Sequence, residues 1–86
     1  RREVGMRVRI VAFARARDLF GRGECELEVA SGATIATVRG ALVERAPRLG
    51  ELGASLRLAR NGSVAGEGEP LCEGDEVALL PPVSGG

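Results

Sequence analysis

The 86-residue chain contains no histidine, lysine, tryptophan or tyrosine. Each absence narrows what the protein can do. Without histidine it lacks the commonest general base, the commonest metal ligand and the Ser-His-Asp arrangement. Two phenylalanines are its only aromatics, which leaves little surface for stacking bases. The two cysteines, Cys25 and Cys72, lie far apart and match no metal-ligand spacing. They read as reduced, partly buried core residues, with a disulfide or a sulfur relay as the minority reading, so an intracellular, cytoplasmic location is expected. All twelve basic residues are arginine and are matched by twelve acidic ones. With no net charge, neither nucleic acid nor an anionic membrane is expected as a partner. Lacking lysine, the chain offers no side-chain amine to an isopeptide bond; its own carboxylate would have to be the donor. No apolar run approaches transmembrane length, and no signal peptide is expected.

What is present is one domain's worth of periodic sequence. "RVRIVAFA", residues 7–14, alternates with period two: Val8, Ile10, Ala12 and Ala14 share one face, and Arg7, Arg9, Val11 and Phe13 the other. After a polar stretch carrying Gly21 and Gly23, "ECELEVA" puts Cys25, Leu27 and Val29 on one side and Glu24, Glu26 and Glu28 opposite. A hairpin of these strands faces the glutamates with Arg7 and Arg9. The period then changes. Ile35, Val38 and Leu42 form a helical stripe, Thr34 is the expected N-cap, Gly40 weakens the interior and Pro47 marks the end.

Beyond a Gly-punctuated connection, "LRLAR" reads as a third strand with Leu56 and Leu58 inward. Asn61 and Gly62 signal a tight hairpin into a short strand at 63–65. "CEGD" is a turn and "EVALL" the last strand, with Val77 and Leu79 on one face and Ala78 and Leu80 on the other. Strands bracketing a single main helix imply an α+β fold, a mixed sheet of about five strands with the helix across one face. Residues 1–5, ahead of Met6, are read as a leftover extension or disordered N-terminus, 6–80 as the domain and 81–86 as an extended tail. If the helix covers Val8, Ile10, Leu27, Val29, Leu58, Val77 and Leu79, then Val11, Phe13 and Leu80 point to the opposite face, and this apolar cluster suggests a docking surface.

"VAFARARDLFG", "ATVRGAL", "RNG" and above all "PLCEGDEVALLPPVSGG" at 70–86 resemble the ubiquitin-like β-grasp sulfur carriers, and more closely the small subunits of molybdopterin synthase. The likeness runs from Val8 to Gly86. It implies that Gly86 is the working residue. A separate E1-like activating enzyme, using Mg-ATP, would adenylate its carboxylate, and a sulfur donor would then leave a thiocarboxylate. That sulfur goes to a pterin precursor in the pocket of the large subunit, within a heterotetramer of two small and two large chains. The small chain binds no cofactor and no metal of its own.

The resemblance also assigns Pro81, Pro82, Val83, Ser84 and Gly85 to a segment that enters the partner's channel, and Val11, Phe13, Arg17, Val64 and Leu80 to partner binding. Asp75 and Glu76 match polar interface or turn positions, and for Asp75 a turn former bonded to its own backbone is an equal reading. Glycines lacking Cβ fit a narrow channel, while two prolines keep the root of the tail extended. Two other classes stay open: a modifier conjugated to lysines through Gly86, and a non-catalytic binding module. A carrier for thiamine or tRNA thiolation is a further alternative.

Overall fold

The fold follows from how two period-two strands and one period-3.6 helix share a core. The computed structural model describes residues 5–82. Strand β1 (Gly5–Ala12) and strand β2 (Glu24–Ala30) pair antiparallel, with Val8 opposite Leu27 and Ile10 opposite Cys25. Arg9 reaches Glu24 at 2.9 Å and Arg7 reaches Glu26 at 4.0 Å, each diagonal to its register partner. These pairs are exposed, so water and salt screen them and they add little to the pairing. Burial of Met6, Val8, Ile10 and Ala12 drives the hairpin.

Ala14 does not continue β1. It opens a short helix, α1 (Ala14–Phe20), in the stretch read from sequence as a polar connection. Phe13, extended at φ −123°, ends the strand, and Ala16 and Leu19 turn into the core. Gly21, at φ 91°, closes α1 in the left-handed conformation that glycine adopts without steric cost.

Helix α2 (Ile35–Arg45) buries Ile35, Val38 and Leu42 against the inner face. Its N-terminus is closed completely. Thr34 and Thr37 form a reciprocal capping box, while the Ile35 and Ala36 amides donate to the Glu69 and Glu67 carbonyls at 3.0 and 2.9 Å. The sequence between α2 and the next strand is more ordered than its glycines suggest: Pro47–Ser55 forms 3-10 turns kinked at Gly53, with Leu49 buried. Pro47 thus ends one helix and starts the next segment.

Strands β3 (Arg57–Arg60) and β4 (Ser63–Val64) form the predicted hairpin, with Asn61 at φ 47° and Gly62 at φ 92° supplying two left-handed turn residues. Strand β5 (Glu76–Leu80) runs between β1, to which it is parallel, and β3, to which it is antiparallel. The sheet order is therefore β2-β1-β5-β3-β4. Val77 and Leu79 lie wholly buried in its middle strand, from whose end Pro81 and Pro82 continue. Among the described residues no helix is long and apolar enough to cross a membrane.

Candidate functional site at the root of the tail

Register places the outer-face residues in rows. Val11 is opposite Ala78, Ala78 opposite Ala59, and Ala59 opposite Val64, so one apolar row crosses four strands. Nearer the tail, Leu80 is opposite Arg57, and Phe13 follows Ala12, the partner of Leu79. Phe13 and Val64 are 47% and 59% exposed, the two large apolar side chains most open to water among the described residues. Val11 and Leu80 are half-buried. Of the expected docking residues, four share this face; Arg17 stands beside it, one turn into α1, its amide donating to the Phe13 carbonyl at 3.2 Å. Ala59 and Ala78 complete the row, and Arg57 borders it. Reading sequence alone misses these three. The Asn61 and Gly62 turn was the signal for Arg57 and Ala59, because it pairs Ala59 with Val64 and so fixes which β3 residues face outward; Ala78 was legible only as sharing the Leu80 face of β5.

The direction of β5 is set at its other end. Asp75, 7% exposed, is the one buried charged side chain among the described residues. Its Oδ2 accepts from Arg60 Nε at 2.7 Å and from the Cys72 amide at 2.8 Å, and its Oδ1 accepts from Asn61 Nδ2 at 2.9 Å. Asn61 Oδ1 in turn accepts from the Glu76 amide at 2.9 Å. The carboxylate therefore joins the turn before β5 to the β3–β4 hairpin. Burial pushes its pKa upward more than any other single influence, but the bonds from Asn61, Arg60 and the Cys72 amide together hold it below the ordinary carboxylate value. Of the two roles left open for Asp75, the structure supports the turn. Cys72 is exposed and Cys25 half-buried, both as free thiols; Cys72 departs from the expected partly buried core position. No group of three metal-ligating side chains comes together among the described residues.

A groove of about 530 Å³ flanks the tail root, lined by Ala54, Ser55, Arg57, Leu80, Pro81 and Pro82. Both prolines are thus held where β5 leaves the sheet. The expectations for Val83, Ser84, Gly85 and Gly86 lie outside the described residues. The match to the ThiS family spans residues 10–86, from the core of β1 through the diglycine. The chain belongs to the ThiS family.

The curated relatives that this chain resembles carry two kinds of name. The molybdopterin synthase sulfur carrier subunit of Arabidopsis thaliana is 34% identical over 79 residues, which cover 92% of this chain and 82% of the relative. Small archaeal modifier protein 1 of Haloferax volcanii is 38% identical over 82 residues, covering 86% of this chain and 94% of the relative. The crystal structure of the Haloferax protein superposes with a TM-score of 0.81 at 35% identity, over 93% of this chain and 99% of that one. The fold of this ThiS-family chain is the ubiquitin-like β-grasp.

Proposed function

We propose that the protein is the sulfur-carrier subunit of a molybdopterin synthase, with Gly86 as the group that carries sulfur. The observation that supports this most is the family match running through the diglycine, on a strand whose end is clamped between two neighbours and bordered by an apolar face. A carboxylate is a poor electrophile because it is an anion with no leaving group. Its attack on the α-phosphorus of ATP, on the activating enzyme and with Mg bound there, releases pyrophosphate and makes a mixed anhydride. A sulfide-level sulfur from the donor then attacks the carbonyl carbon and AMP departs, so one difficult substitution becomes two feasible ones. In the large subunit's pocket the thiocarboxylate sulfur attacks an electrophilic carbon of the pterin precursor and displaces an oxygen leaving group; water then attacks the acyl carbon of the resulting thioester, which returns the Gly86 carboxylate and leaves the sulfur on the pterin. Pro81 and Pro82 lessen the backbone entropy, about 1–2 kcal/mol per flexible residue, lost when the tail is threaded.

Incubated with the activating enzyme, Mg-ATP and a sulfur donor, the chain should gain the mass difference between sulfur and oxygen, located at Gly86. Deletion of Gly86 should abolish the gain. A sulfur adduct that persists in the deletion and maps to Cys25 or Cys72 overturns the reading. The Haloferax relative's name favours a second reading, a modifier joined through Gly86 to lysines of other proteins. Isopeptide-linked ladders on a denaturing gel, in place of a thiocarboxylate intermediate, decide for it.

A further inference from the structure

We propose that Arg57 determines partner choice at the tail root by pairing with a carboxylate on the protein that receives the tail. The inference rests on the docking face proposed above and concerns the chemistry of its occupant. The outer face carries three arginines, and they differ. Arg9 is matched by Glu24 at 2.9 Å and Arg7 by Glu26 at 4.0 Å. Arg57, exposed, makes no ion pair among the described residues. It also borders the apolar cluster on two sides, being opposite Leu80 with Ala59 as its neighbour on the same face, whereas Arg9 meets the row only through Val11. A partner that covers Phe13, Leu80 and Val64 must also strip water from that guanidinium. An unmatched charge buried in this way opposes association, whereas an opposing carboxylate steers it and fixes its register. The groove beside Arg57 has room for such a group. Leu80, Pro81 and Pro82 offer one wall to the apolar stem of an acidic side chain, and Ser55 and Arg57 offer donors to its head. Because the tail root forms that wall, filling the groove also fixes the direction in which the tail leaves.

Binding of the intact chain to the molybdopterin synthase large subunit of the same organism, followed by surface plasmon resonance at two salt concentrations, tests this. Arg57→Glu should weaken binding by about tenfold or more, mainly through a slower on-rate, and Arg57→Ala by about fivefold with a flatter salt dependence. Arg57→Lys should stay within about threefold of the parent, since it keeps the charge. All three should melt with the parent protein, because the side chain is exposed. If Leu80→Asp weakens binding while Arg57→Glu stays within about twofold of the parent, the charge contact is overturned and the docking face stands. If Leu80→Asp also binds like the parent, the docking face is wrong and the role of Arg57 falls with it.

Discussion

Asp75 holds the turn that launches β5, and its worth depends on its charge. Because its folded pKa lies below the ordinary value, the ionised form stabilises the fold above the unfolded pKa, about 4. That contribution is lost as the pH falls through the folded pKa. Urea midpoints measured from neutral pH down to about 2 should therefore drop in the parent below about pH 4. Asp75→Asn should flatten that drop and lower the neutral-pH midpoint, since it removes the charge and puts an amide donor where one of the two carboxylate oxygens accepted a bond. Asp75→Ala leaves the Cys72 amide and Asn61 without their acceptor and should cost on the order of 2 kcal/mol at neutral pH. Sequence could name Asp75 as a turn former, because "EGD" is local. It could not show Arg60 and Asn61 reaching it, since those contacts join segments brought together only by the sheet.

At the scale of elements, legibility followed period and punctuation. The β1–β2 hairpin, the Thr34 cap and the Asn61 and Gly62 turn were readable because each is written in consecutive residues. Helix α1 was not: its seven residues begin directly at a strand end, and the alternation of β1 carries on through Phe13 and Ala14 as letters while the backbone has already turned. Ala16, Leu19 and the closing Gly21 were the available signal. Pro47–Ser55 was hidden by its glycines. Gly40 was read as a weak point of α2, and the structure places it inside that helix with space for a side chain. The position is exposed, and a Cβ there meets no atom within 4 Å. Gly40→Ala should raise stability by about 0.5–1 kcal/mol, seen as a higher urea midpoint with an unchanged slope.

For the molecule as a whole, the central distinction is between the two faces of one strand. Leu79 is fully buried in the core, and Leu80 is half-buried on the opposite side of the sheet. Leu79→Asp places a charge in the core without a partner, should cost several kcal/mol and should leave little folded protein by circular dichroism. Leu80→Asp should cost on the order of 1 kcal/mol, keep a cooperative melt and, under the proposed function, weaken binding to a large-subunit partner. Melting and binding measured side by side on both variants check the assignment of faces, and unfolding by Leu80→Asp would invert it. Strand alternation made this division readable in advance, because moving one residue along β5 changes face. The row formed with Ala59 and Ala78 was not readable, because it depends on which strands become neighbours.

The place of β5 between β1 and β3 also bears on what happens when something pulls on the protein. β5 runs parallel to β1, so a load drawing β5 onward past Leu80, resisted at the start of β1, acts along both strands and perpendicular to the hydrogen bonds between them. Such bonds are strained together and do not open one after another as in a zipper. Unfolding along this direction requires several β1–β5 bonds to break at once. Force applied between the start of β1 and the end of β5 therefore meets the sheet in shear, and does not peel β5 away bond by bond.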